Sequence, residues 1–266
     1  MPEMLTVGSG SAARQIAFLS RPGAAPGLFW LNGYRSDMLG SKAQAVDAFG
    51  AARGLAVTRF DYSGHGQSGG DFLEGTITRW LDEALAVFAT TSGPQVVIGS
   101  SMGGYLALLL NRALRTAGSD RVKALILIAP AADMTTELME KGFTRAEQKA
   151  MRDTGLVLQP SDYSDEPYPI TRALIEDGRN HVLLGARGID TGCPVTILQG
   201  GRDPDVPREH AMRLAQHILV DPVTVTIIPD GDHRLSRPQD LRLLEAAIGR
   251  AIEDAVPAQQ ELFGEE

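Results

Sequence analysis

Residues 96 to 110 read VVIGSSMGGYLALLL, an aliphatic run that breaks on Gly99, Ser100, Ser101, Met102, Gly103 and Gly104 and resumes as a leucine-rich, helix-like run. A turn that only joins a strand to a helix needs one or two glycines and no serine centred between them. The spacing Gly99-x-Ser101-x-Gly103 holds the Ser101 side chain out on a tight corner, whereas Ser100 is off the centre of that spacing. Such a corner commits the chain to strands feeding directly into helices, the arrangement of a sheet covered by helices.

The rest of the chain repeats that alternation. MLTV (4 to 7) and RQIAFLS (14 to 20) read as an early hairpin, and GLFWLNG (27 to 33) as a strand buried on both faces and ending in glycine. A helical run over about 41 to 53 leads into LAVTRFDYSGHGQSGG, a strand opening into a glycine-rich loop. Ile77, Leu81, Ala84, Leu85 and Phe88 mark one face of a helix. QVVIGS, a helix from Met102 to Ala117 and VKALILIAP (122 to 130) follow. PVTILQGGRD, a helix from Arg208 to Leu219, VTVTIIPDGDH and a last helix from Pro238 to Asp254 complete the pattern. The expectation is an α/β fold with an eight-stranded, mostly parallel sheet and helices on both faces.

Residues 131 to 188 break the rhythm, with helical pieces but no convincing core strand. They read as a small helical cap inserted after the sixth strand, so that 1–130 and 189–256 form a single core. The polar tail at 257–266 is expected to fray.

Composition narrows the function. Of 266 residues, 25 are Lys or Arg and 33 Asp or Glu, for a net charge of −8, which argues against nucleic-acid binding. One cysteine, Cys193, makes neither an internal disulfide nor a cysteine zinc site. No apolar run approaches the ~20 residues of a membrane span. The first residues, MPEMLTVGSGSAARQ, have no basic-then-apolar signal and are not Arg-rich like a transit peptide, so the expected location is cytoplasmic.

A serine on a strand-to-helix corner sits at a helix N-terminus, where free N–H groups favour negative charge. Its hydroxyl needs a base, which is usually a histidine steered by a carboxylate. Of five histidines, His65 lies in the glycine-rich loop, His181 in the cap, and His210 and His217 in a helix where surface or half-buried roles are expected. His233 directly follows a strand, at the sheet edge where ligands and catalytic groups gather. Asp203 follows the preceding strand and is favoured as the acid, with Asp205 and Asp133 as rivals, while Asp230 and Asp232 are expected to shape the His233 turn. Oxyanion donors are expected from the backbone N–H of Met102 and, in the loop LNGYRSDM, of Tyr34. No metal or organic cofactor is expected.

The elements NGYRSD, FDYSGHGQSGG, GSSMGGY, QGGRDPDVP and DGDHR, in that order, resemble an α/β-hydrolase. Within that superfamily LNGYRSDMLGSKA, RFDYSGHGQSGGDF, GSSMGGYL and the cap stretch SDYSDEPY are similar to a narrower group. It is the abhydrolase-domain family that includes the mitochondrial acyl-glucuronide esterase, also described as a palmitoyl-protein thioesterase. The resemblance runs from about residue 28 to 250 and implies Ser101 as nucleophile, Asp203 as acid and His233 as base. One departure is QGG, where relatives more often carry a histidine before the glycine.

The expected activity is hydrolysis of a carboxylic ester or thioester through an acyl-enzyme, with acyl thioesters or acyl glucuronides as the substrates that the resemblance implies. The partner is then a small-molecule or acylated substrate. Met139, Phe143 and Leu158, with Met134, Leu138, Leu156 and Val157, would suit an apolar acyl group, or simply pack the cap onto the core. A carbon–carbon bond hydrolase, a cofactor-free haloperoxidase and a non-catalytic binding protein are the alternatives.

Overall fold

The computed structural model describes residues 1–160, 166–185 and 188–255. The chain opens with β1 (Glu3–Val7) and β2 (Arg14–Arg21), an antiparallel pair with Val7 opposite Arg14. Then come β3 (Ala24–Leu31), α1 (Ser41–Arg53), β4 (Leu55–Phe60), α2 (Ile77–Ala89), β5 (Gln95–Ser100), α3 (Met102–Thr116) and β6 (Val122–Ile128). An inserted stretch holds a π-helical segment (Met134–Glu140), α4 (Arg145–Asp153), β7 (Leu156–Gln159), β8 (Tyr168–Thr171) and α5 (Arg172–Gly178). The core resumes with β9 (Val195–Gly200), α6 (Arg208–His217), β10 (Val223–Ile228) and α7 (Pro238–Ala255).

The main sheet has eight strands in the order β1-β2-β4-β3-β5-β6-β9-β10. β2 runs antiparallel to both its neighbours, and every other neighbouring pair is parallel. Because side chains alternate across a strand, each central strand feeds two cores. Leu28, Trp30, Val96, Ile98, Ala124 and Ile126 point to the face covered by α1 and α7, where they meet Val46, Phe49, Leu244 and Ile248. Phe29, Leu31, Val97, Leu125 and Leu127 point to the opposite face, where α2, α3 and α6 contribute Trp80, Leu106, Leu109 and Leu214. Burial on both faces is why these strands read as unbroken apolar runs. Among the described residues, no helix is long and apolar enough to cross a membrane.

The insertion carries the helices expected of a small helical cap and, beyond that expectation, a pair of short strands. β7 and β8 pair antiparallel as a separate two-stranded sheet, with Val157 opposite Ile170. Val157, Ile170, Phe143 and Ile175 form a small core of their own. α4 starts on a Thr144–Glu147 capping box, in which each side chain bonds the other residue's backbone N–H. The expected frayed tail, and part of the SDYSDEPY stretch, lie outside the described residues.

Candidate active site

Ser101 is the corner between β5 and α3. Its backbone is left-handed (φ 56°, ψ −118°), a costly conformation for a residue with a side chain and one held here by the packing around it. Its N–H donates to Ile128 O at 2.8 Å, and its carbonyl accepts from Gly104 N–H at 2.9 Å and from Ala131 N–H at 3.2 Å. The glycines permit the close approach. A Cβ on Gly99 would lie 2.1 Å from Gly103 O, and one on Gly103 would lie 2.1 Å from Leu31 O. The Met102 N–H opens α3, where no preceding turn supplies an acceptor.

His233 stands in the loop after β10, and Asp203 in the loop after β9. Asp203 Oδ2 accepts from His233 Nδ1 at 2.8 Å, and Ser101 Oγ donates to His233 Nε2 at 3.0 Å. A carboxylate only accepts, so Nδ1 carries the proton and Nε2 is left to receive the serine's. Asp203 Oδ1 accepts the N–H groups of Asp205 and Val206, each at 2.9 Å. Gln199 occupies the position where the sequence departs from its relatives. Its Nε2 donates to Asp203 Oδ2 at 3.2 Å and to Val206 O at 2.8 Å, tying the end of β9 to the acid's loop.

The rival acids are placed otherwise. Asp133 is buried and commits both oxygens to the end of the insertion, accepting from Leu183 N–H and Leu184 N–H at 2.8 Å each. Asp205 is exposed at the cavity rim. Asp232 accepts from Leu235 N–H at 3.0 Å and Asp230 pairs with Arg237 at 2.7 Å, so both brace the loop that carries His233. His210, expected at or near the surface, is buried instead, its Nε2–H donating to Ala132 O at 2.9 Å.

The loop after β3 lies against the corner. A Cβ on Gly33 would meet Ser100 O at 3.2 Å and Ser101 Cβ at 3.4 Å, which brings the next N–H, that of Tyr34, into the neighbourhood of Ser101. The Tyr34 ring packs edge-on against Phe72, Trp80 and Tyr168, and its hydroxyl donates to Pro169 O on β8. Burial pushes that phenol well above its usual range. His65, expected to shape its own glycine-rich loop, also reaches this one, a role the sequence does not display. Its Nδ1–H donates to Ser63 O at 3.1 Å, which leaves Nε2 to accept Arg35 N–H at 3.2 Å, one residue past Tyr34. Burial lowers the His65 pKa to about 4 and keeps it neutral, as an acceptor must be.

Ser101 and His233 open into a cavity of about 520 Å³. Met134, Leu138, Met139 and Tyr168 from the insertion supply apolar lining, and Lys42, Asp205, Arg234 and Ser236 supply polar lining. Of the acyl-binding candidates only Met139, with Met134 and Leu138, is there. Phe143 is turned into the insertion's own core, and Leu158 is 56% exposed, because alternation along β7 sends Val157 inward and Leu158 out.

A family model described as the alpha/beta hydrolase family matches residues 22–242. The human mitochondrial palmitoyl-protein thioesterase ABHD10 is 34% identical over 252 residues, covering 90% of this chain and 80% of that protein. Among solved structures, an Agrobacterium vitis S4 protein described as a candidate hydrolase shares 48% identity at a TM-score of 0.91, over 95% of this chain and 98% of that one. Mouse alpha/beta hydrolase domain-containing protein 10 shares 33% identity at a TM-score of 0.85, over 96% of this chain and 100% of that one. By sheet order, strand-to-helix corner and these similarities, the chain belongs to the alpha/beta hydrolase family, in the group that contains ABHD10.

Proposed function

We propose that this protein is a serine hydrolase that cleaves carboxylic ester or thioester bonds through an acyl-enzyme. The observation that carries the reading is the continuous chain Ser101 Oγ–H to His233 Nε2 and Nδ1–H to Asp203 Oδ2. In the first half-reaction Ser101 Oγ attacks the acyl carbon while His233 Nε2 takes its proton. The carbonyl oxygen gains the negative charge beside the N–H groups of Met102 and Tyr34. Collapse expels the alcohol or thiol, which receives the proton from His233. Water then repeats the sequence against the acyl-serine and releases the acid.

The relatives named as palmitoyl-protein thioesterases favour acyl thioesters among the substrates. The apolar lining from Met134, Leu138 and Met139 fits an acyl chain lying under the insertion. Fluorophosphonate labelling, followed by turnover of acyl thioesters and esters of graded chain length, tests the proposal. Wild type is expected to label at Ser101, and Ser101→Ala to lose labelling and at least about a thousandfold in kcat. Near wild-type turnover by purified, folded Ser101→Ala would exclude the mechanism.

A further inference from the structure

Lys42 lies in the stretch LNGYRSDMLGSKA, and neither the serine nor the oxyanion loop accounts for it. It stands in the first turn of α1 and lines the cavity beside Ser101 and His233. Its Nζ donates to the carbonyl oxygen of Arg234, with Ser236 Oγ at 3.4 Å. Arg234 is the residue after His233, so this bond reaches the base's loop from 192 positions away in sequence.

The loop is anchored on three sides. Arg202 N–H, from the loop after β9, donates to Gly231 O at 2.9 Å, ahead of the histidine. Arg237 pairs with Asp230 and Asp240 at its far end. Lys42 holds the peptide that immediately follows the imidazole. A rotation of that peptide would swing the ring out of line between Ser101 Oγ and Asp203 Oδ2. We propose that Lys42 is a positioning residue, whose ammonium clamps the Arg234 carbonyl and so holds His233 in line with Ser101. The proposal rests on the serine-hydrolase reading above.

The charge state of the clamp makes it testable. Burial is the main cause that lowers the Lys42 pKa, to about 8. Arg234 lowers it further, while Asp232 in the same loop, Asp240 on α7 and Asp203 after β9 oppose the shift. A hydrogen bond from a charged donor is stronger than one from a neutral donor, so the clamp is strong below that pH and weakens as pH rises through it. Titration of Lys42 is therefore expected to shape the alkaline side of the profile.

The experiment measures the fluorophosphonate labelling rate, and kcat and KM for an uncharged ester and for an ester with an anionic leaving group, from about pH 5 to 10. Wild type, Lys42→Arg and Lys42→Met are compared after thermal melts establish that each is folded, with Lys42→Gln as a substitute if the Met variant is not. Wild type is expected to lose about tenfold in labelling rate and kcat on passing pH 8, with little change in KM. Lys42→Arg, which stays charged throughout, should keep the upper plateau, and Lys42→Met should sit flat at the lower one. A wild type that labels but shows no alkaline fall, or a Lys42→Met variant that holds the upper plateau, overturns the clamp. So does a loss confined to KM and to substrates with anionic leaving groups, which would make Lys42 a substrate-binding cation. Failure of wild type to label at all would remove the nucleophile reading itself, a result distinct from these.

Discussion

Two neighbouring parallel strands, β6 and β9, each lead into a loop that buries an aspartate, Asp133 after the first and Asp203 after the second. Both carboxylates accept a pair of backbone N–H groups. They differ in how the pair is divided. Asp203 takes both on Oδ1, which leaves Oδ2 to His233 and, at a longer 3.2 Å, to Gln199 Nε2. Asp133 spends Oδ1 on Leu183 and Oδ2 on Leu184, and so anchors the end of the insertion to the core. Under the proposed mechanism, position along the sheet edge is therefore not enough to make an orienting acid; the carboxylate must keep one oxygen uncommitted by its own loop.

The sharpest test of that contrast is Asp203→Asn. An amide turned toward Nδ1 favours the wrong imidazole tautomer, and kcat is expected to fall about 10⁴-fold with the fold intact. Steady-state kinetics at neutral pH check it, and a collapse in Asp133→Asn with Asp203→Asn near normal would reverse the two assignments.

The same rule, that facing groups define a buried side chain, extends to His65 against His233. His65 has its pKa lowered from 6.5 to about 4, so the unfolded chain binds the extra proton within that window. Stability should be fully present above pH 6.5 and fall as the pH drops toward 4, by about 3 kcal/mol from this group. Urea unfolding across that range measures the slope, and His65→Gln should remove its share. An unchanged slope in the variant would mean that His65 is not held neutral.

Asp133→Asn comes next in size. One oxygen still accepts, but an NH₂ now faces the other amide, so a stability loss of about 1–3 kcal/mol is expected. Its kcat should stay within about tenfold of wild type. Smallest is Asp205→Asn, exposed at the cavity rim, with stability within about 0.5 kcal/mol and kcat again within about tenfold. A kcat loss above a hundredfold there, on the order of a removed catalytic group, would draw Asp205 into the acid's role.

What the sequence made readable follows from how locally each feature is determined. The strands around Phe29, Val97 and Leu125 are visible because two-faced burial leaves an apolar run. The corner at Ser101 is visible because its constraint lies within six residues. The juxtaposition of Ser101, Asp203 and His233 is legible because all three follow strands that end at one edge. The insertion was harder to read. β7 and β8 are four residues each and owe their form to one another, so their alternation is too short to register; of the two roles open to Phe143 and Leu158, lining the cavity or packing the insertion, Phe143 packs the insertion's own core and Leu158 stands exposed on β7. Asp133, His65 and Lys42 act through partners at least 30 positions away, which no local pattern displays.

The glycines flanking Ser101 have a consequence for how such sequences change over time. At Gly99 and Gly103 any side chain would run into backbone, of Gly103 in one case and Leu31 in the other, whether or not a reaction occurs. The serine between them makes no side-chain cap bond to its helix. A descendant relieved of its reaction could lose the hydroxyl at little structural cost, yet could not lose the glycines. In a distant sequence those glycines are thus testimony to ancestry and architecture, and the single letter they enclose is the one that reports whether the trade is still practised.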